Sequence, residues 1–518
     1  MSSLLAVLDI APPTLDYAQI APVLVVLGAA VVSVLVEAFV SREFRRPIQL
    51  SLTFATLAIA FLFVVKNSLD AAIGYNAGRA LTVDVPGLFL QGVILIAALL
   101  GALLLGETKV DPQGDSFAAQ ASALPGSEDE QAFTTRGWFQ TEIWSLFLFS
   151  VGGMLIFPIA ADFLTLFVAL EVMSLPLYLL AGMARRRRLL SQEAAMKYFV
   201  LGAFASAFLL YGAALLYGFA GSVRFDKIAD ALSMDPGRNG LLIAGSLMVF
   251  VGLLFKVGAA PFHQWTPDVY QGAPTALTAF MSAATKVAAF GALLRVGYVA
   301  LSGMRWDIQP ALWAIAGLTM LVGTIVGVVQ SDIKRMLAYS SIAHAGFLLL
   351  GLLAYNRTGL AGSLFYLATY TFTTLGTFGI VSLVRDASGE ATNLRAWAGL
   401  GKKSPVTASA FGLLLLALAG IPLTSGFVGK FAVFAAAYEG GVAPLVILAV
   451  ISSMIAAFFY VRVIVLMFFT DPVNDDVAVV VPSILTKVSL SVSVAATIVL
   501  GVVPQPFLDL LNKAVFLR

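Results

Sequence analysis

The chain has 518 residues, 60% of them apolar and 12% charged, with a mean hydropathy of +0.94; soluble domains carry roughly 25% charge. That excludes a soluble enzyme on a single anchor: almost the whole chain is membrane domain. A net charge of +2 gives nucleic acid no footing, and zero cysteines exclude disulfides, thiolate metal sites and cysteine-ligated iron–sulfur clusters.

Spanning a hydrocarbon core of ~30 Å takes about 20 apolar residues. Fourteen such runs follow in order, at roughly 17–40, 48–66, 84–106, 140–158, 161–183, 195–220, 241–262, 275–300, 310–330, 337–355, 360–384, 405–438, 443–470 and 483–506. Asp9 and Asp16 precede the first run without a basic segment, so the N-terminus does not read as a cleaved signal peptide. Residues 107–137 are hydrophilic, acidic and poor in large apolar side chains, which reads as a mobile cytoplasmic loop and a tolerated insertion. The run Arg185–Arg188 reads as a topology anchor. With the N-terminus outside, roughly sixteen Lys and Arg lie in or beside cytoplasmic loops and nine outside. Fourteen spans then return the C-terminus to the outside.

Two spans are expected to be broken. Gly258 and Pro261 interrupt the seventh just past Lys256, and GIPLT at 420–424 interrupts the overlong run at 405–438. Freed backbone groups lack water in lipid, so such breaks belong where a helix lines a polar path. Between the seventh and eighth spans, Trp265 and Tyr270 suit the headgroup level. Ionisable residues repeat across the chain: Glu171 and His344 are 173 apart, Lys256 and Lys430 174, Lys286 and Arg462 176. The expected fold is therefore an all-α polytopic membrane protein of about fourteen transmembrane helices, with two inverted five-helix repeats, each holding a broken helix. Its expected divisions are 1–139 (three helices and the acidic loop), 140–300 (first repeat), 301–470 (second, inverted repeat) and 471–518 (C-terminal helix).

Charges inside spans are expensive and mark ion paths. Glu171 lies about nine residues into the fifth span without an acidic neighbour, and Lys286 and Lys430 lie near mid-span. Lys197 and Lys256 lie where snorkelling to the interface would also account for them. His344, in SSIAHAG, suits either a proton relay between lysines or a satisfied core hydrogen bond. Burial disfavours an ammonium and a nearby carboxylate favours it. A Glu–Lys pair that opens and closes thereby makes a lysine release or hold its proton, and Glu171 is expected to pair with Lys256. His263 and His344, the only histidines, make haem or zinc a poor fit. No Rossmann or P-loop glycine pattern follows a plausible strand.

The stretches PFHQWTPDVYQGAPT (261–275), SSIAHAGF (340–347) and GIPLTSGFVGKF (420–431) resemble the antiporter-like membrane subunits of respiratory complex I, the proton-pumping NADH–quinone oxidoreductase, and most of all its subunit N members. The resemblance covers about 140–470 in motifs and the whole chain in span count. It implies proton translocation by Glu171, Lys256, Lys286 and Lys430, with Lys197 as an extra lysine of subunit N. It also implies no redox cofactor in this chain: NADH, flavin and iron–sulfur clusters belong to partner subunits, and quinone to the complex. The implied setting is a bacterial plasma membrane, among the other membrane-arm subunits. Sodium–proton antiporter subunits of similar fold are the alternative, and a purely structural membrane subunit would leave the buried charges unexplained. The acidic loop departs from the family pattern.

Overall fold

The computed structural model describes residues 15–111, 114–124, 127–136, 139–234, 240–386, 389–472 and 477–517. It is mostly helical. The N-terminal block is α1 (Tyr17–Phe39), α2 (Arg42–Leu69) and α3 (Val85–Leu105). Next come α4 (Ile143–Ile156), α5 (Phe163–Ala181), α6 (Arg188–Ala220), α7 (Gly240–Val257), the short α8 (Trp265–Gly272) and α9 (Thr275–Ala300). The second half holds α10 (Arg305–Val328), α11 (Ile333–Ala354), α12 (Arg357–Val381), α13 (Pro405–Ala419), α14 (Ser425–Glu439) and α15 (Ala443–Phe469). The last helices are α16 (Ile484–Val502) and α17 (Gln505–Leu511).

Among the described residues, twelve helices are long and apolar enough to cross a membrane. The fourteen expected runs thus resolve into twelve long helices and two shorter apolar ones, Ile143–Ile159 and Pro405–Ala419. The second shortfall has a plain cause: the run at 405–438 is divided between α13 and α14.

Both breaks fall where Gly and Pro put them. α7 stops at Gly258, whose φ of +77° is left-handed, and α13 stops at Gly420, with φ +82°. Glycine alone takes such angles without strain. Elsewhere the entry of a helix is fixed by a side-chain cap: Asp162 accepts from Thr165 N, Asp332 from Lys334 N and Arg335 N, and Asn356 from Gly359 N. α9 is interrupted by π-helical turns at Met281–Thr285 and Val296–Ala300. Such single turns are rare and cluster at functional sites; here they bracket Lys286 and Arg295, the two charges on this helix.

Burial sorts the helices. α9, α11 and α12 form the buried centre, whereas α1, α2, α15 and α16 keep large apolar faces exposed, as lipid-facing helices do. Beyond the helices, two small antiparallel sheets lie among the described residues. One is the hairpin β1 (Gly74–Asn76) and β2 (Leu81–Val83); the other joins β3 (Val384–Asp386), β4 (Gly389–Glu390) and β5 (Ala478–Val479) with β3 in the middle.

The acidic segment 107–137 was expected to be mobile; its described residues are instead pinned. Arg185 meets Asp115 at 3.1 Å, Arg186 meets Asp111 at 2.8 Å and Arg188 meets Glu130 at 3.0 Å. Arg188 also donates to the carbonyls of Gln120, Ala121 and Ala123. The arginine run is therefore a clamp as well as a positive cluster. Acidic composition suggested solvation because its partners lie some seventy residues away in sequence, 70 for Arg185 and Asp115.

Candidate functional site

Lys256 is the second-last residue of α7 and 3% exposed, which rules out snorkelling. Its ammonium donates to Ser174 Oγ at 2.8 Å and to Tyr198 OH at 3.2 Å, and lies 5.2 Å from the Tyr198 ring centroid. The expected ion pair with Glu171 is not formed. Glu171 is half-buried on α5, its Oε1 lacks a hydrogen-bond partner, and Ser174, one turn further along α5, takes its place at Lys256. The carboxylate is still near enough for its field to reach Lys256.

Lys197 differs from the other lysines. It is partly exposed and held by two carboxylates, Glu193 at 2.7 Å and Asp268 at 2.8 Å, with Arg335 on the far side of Asp268 at 2.7 Å. Its surroundings are those of a rim ion-pair network.

From Lys256 an aromatic line crosses to the centre. Tyr198 stacks on Trp265 at 4.6 Å, and Trp265 meets Tyr270 edge-on at 6.3 Å. Both side chains were expected at headgroup level. Trp265 and Tyr270 are in fact 3% and 2% exposed, with the indole N–H donating to Phe255 O, because α8 folds back into the bundle against α6 and α11. The Tyr270 hydroxyl reaches Ser341.

Ser341 holds Lys286, whose ammonium donates to Ser341 Oγ at 2.6 Å and to its carbonyl oxygen. The Tyr370 ring lies 5.2 Å from Lys286 and 5.1 Å from the His344 ring. It separates the two groups. His344 is fully hydrogen-bonded, Nδ1 to Tyr366 OH at 2.6 Å and Nε2 to Tyr460 OH at 3.3 Å, and Tyr460 bonds in turn to Ser340. A satisfied imidazole between two hydroxyls is also a geometry that can pass a proton, so both expected readings of His344 remain open.

Lys430 closes the row. It donates to Leu418 O at 3.0 Å, Ala419 O at 2.9 Å and Ser453 Oγ at 2.9 Å, and sits over the Phe347 ring. The two carbonyls are the loose end of α13, where the helix dipole favours a cation. Gly420 gives it room, since a Cβ there would come within 2.9 Å of Lys430 Cδ. Lys256 and Lys430 stand on opposite sides of their breaks, one before and one after.

Among the described residues, no carboxylate lies within ion-pair distance of Lys256, Lys286 or Lys430. Each instead faces a hydroxyl and the face of an aromatic ring, which attracts a cation without fixing its proton. The structure thus assembles Lys256, Lys286, His344 and Lys430 into one row joined by aromatic rings and hydroxyls, leaves Glu171 beside its start and sets Lys197 at the rim. Ser174, Tyr198, Ser341, Tyr366, Tyr370 and Tyr460 were missed in the sequence, where hydroxyls inside apolar helices carry no signal of their own. The buried pair Asp84–Arg295, bidentate at 2.8 and 2.7 Å, was missed too, although an arginine near the end of an apolar run could have flagged it. Among the described residues, no group of three or more His, Asp or Glu could hold a metal.

A profile of the NADH:quinone oxidoreductase/Mrp antiporter transmembrane family matches residues 160–456. An NADH-quinone oxidoreductase subunit N of Streptomyces griseus subsp. griseus is 56% identical over 98% of this chain and 95% of its own length. A chain in the structure of respiratory complex I from Thermus thermophilus is 31% identical, covering 95% of this chain and 100% of that one with a TM-score of 0.77. A chain of the Mrp complex from Dietzia sp. DQ12-45-1b covers 95% of this chain and 96% of its own at a TM-score of 0.78 but only 22% identity, a likeness of fold alone. The chain belongs to the NADH-quinone oxidoreductase subunit N family.

Proposed function

We propose that the chain is a proton-translocating membrane subunit of respiratory complex I, coupling electron transfer from NADH to quinone to proton movement along Lys256, Lys286, His344 and Lys430. One observation carries this: a row of ionisable side chains in the middle of a membrane bundle, bonded to hydroxyls and carbonyls rather than neutralised by carboxylates. Charges so placed are costly in lipid and serve ion paths. Glu171 supplies the field at the head of the row, and Lys197, in its ion-pair network, tunes the rim beside it. The two five-helix units, 140–300 and 301–470, would be inverted copies, each contributing one broken helix. Both termini would face the outside of a bacterial plasma membrane, the side opposite the Arg185–Arg188 clamp.

Membrane-arm subunits would flank the chain, and partner subunits would hold the flavin and clusters that oxidise NADH. Purifying the complex through a tag on this chain tests the assignment. The expected result is flavin and iron–sulfur absorbance in the complex, with NADH-driven proton pumping into liposomes that is independent of sodium. Sodium-dependent proton exchange without NADH oxidation would instead make the chain an antiporter subunit.

A further inference from the structure

A second buried charge pair lies where α8, α9, α11 and the β3–β4 hairpin meet. Lys334, in the first turn of α11, is 1% exposed; its ammonium donates to Ala273 O at 2.8 Å and stands 3.2 Å from Glu390 Oε2. Glu390, on β4, is also 3.7 Å from Arg385. Arg187 donates to the Glu390 carbonyl, and Asp111 holds Arg385 at 3.5 Å and Arg186 at 2.8 Å. Between them is a cavity of about 30 Å³, lined by Lys334, Glu390, Gln271, Ala273 and Pro274. That is room for a water molecule with several polar partners.

The pair is graded in its contact with water. The Glu390 side chain keeps 18% of its exposure, whereas that of Lys334 keeps 1%. A loop needs no such pair to be held, since apolar side chains of similar volume serve as well or better. The dry end also points along the row. Ser341, which holds Lys286, is seven residues beyond Lys334 on α11; two helical turns keep the two on one face, about 10 Å apart. On α8, the Tyr270 hydroxyl reaches Ser341 while Ala273 O reaches Lys334, so this short helix spans the same interval.

We propose that Glu390 and Lys334 form the cytoplasmic proton-uptake site of this subunit, loading Lys286 through water between Lys334 and Ser341. The inference rests on the function proposed above. Hydronium gives its proton to the Glu390 carboxylate and leaves as water. When Lys334 has passed a proton inward and become a neutral amine, the Glu390 acid returns one to it, restoring carboxylate and ammonium. Burial alone would raise the Glu390 pKa, but Lys334 and Arg385 together hold it below the usual carboxylate range. The carboxylate therefore carries a proton only in passing, and storage falls to the lysines of the row.

Inside-out membrane vesicles, whose cytoplasmic face meets the bath, test this with Glu390→Gln in the intact complex. Turnover of NADH with quinone per assembled complex, and proton pumping, are measured across bath pH. The expected result is a several-fold loss per complex that deepens as pH rises, moving the alkaline limb of the profile to lower pH. A parental profile per complex, even with less complex assembled, overturns the inference and leaves the pair a structural tie. If Glu390→Gln does not assemble, Glu390→Asp, with its carboxylate withdrawn by one methylene, decides in the same way: a shifted limb supports uptake here and a parental limb overturns it. Parental vesicles that oxidise NADH without pumping would contradict the function itself, and so stand apart from either result.

Discussion

Single residues in the proposed row differ in whether they must release a proton or only supply a charge, and substitutions separate the two. Glu171 has an unpartnered carboxylate oxygen and acts on Lys256 through space. A unit charge at about 8 Å and an effective dielectric near 20 is worth about 2 kcal/mol, enough to shift a proton equilibrium more than tenfold. Glu171→Gln is therefore expected to lower NADH–quinone turnover and pumping together, by roughly tenfold; normal rates and stoichiometry would remove Glu171 from the mechanism. At the other end, Lys430→Ala and Lys430→Arg are both expected to impair pumping, because arginine keeps the charge but hardly releases a proton. Should Lys430→Arg pump like the parent, Lys430 is a fixed countercharge. Legibility at this scale was uneven. Lys286 and Lys430 stood out because a charge in an apolar run has few bland explanations, whereas the Glu171–Lys256 ion pair was misjudged. Sequence placed both residues in one bundle but could not show that Ser174 would come between them.

Elements hold these residues in register through their breaks, caps and clamps. Gly420 must take a left-handed φ and make way for Lys430, so Gly420→Ala is expected to disturb Lys430 rather than only to loosen α13. A pumping loss close to that of Lys430→Ala would show this, and unimpaired pumping would contradict it. The acidic segment has its own ties. Arg185 and Asp115 form a buried pair, each side chain 5% exposed; removing one partner of such a pair costs about 3–5 kcal/mol. Arg185→Ala should thus speed proteolysis and deuterium uptake across the described residues 114–124, and parental protection there would contradict the clamp. The segment also has a pH dependence of definite sign. Burial alone would raise the Glu107 pKa, but the N–H groups of Lys109 and Ser483, which donate to its carboxylate, hold it below the usual range. The stability Glu107 contributes is present above its unfolded value near 4.3 and lost as pH falls through the lower folded value. Deuterium uptake at 108–111, corrected for intrinsic rates, should rise only in that acid window; Glu107→Gln should show it at neutral pH. The helix breaks were legible because Gly and Pro act locally, but the clamp was not, since its partners meet only through the fold.

Across the whole molecule, composition alone indicated a membrane protein, and periodic apolar runs gave nearly the right number of helices. The burial of Trp265 and Tyr270 escaped that reading, because an amphipathic ring suits a membrane interface and a packed bundle equally. What the fold adds is continuity: three lysines and a histidine, scattered over 175 residues of sequence from Lys256 to Lys430, become one row across the buried centre. The central claim is that this row carries the protons whose movement is tied to quinone reduction. The most direct measurement is proton uptake per NADH oxidised by the intact complex in liposomes, with Lys286→Met against the parent. The account predicts that both turnover and proton uptake fall by roughly tenfold, a barrier change of about 1.4 kcal/mol, while the complex still assembles. Parental turnover at the parental proton ratio would contradict it.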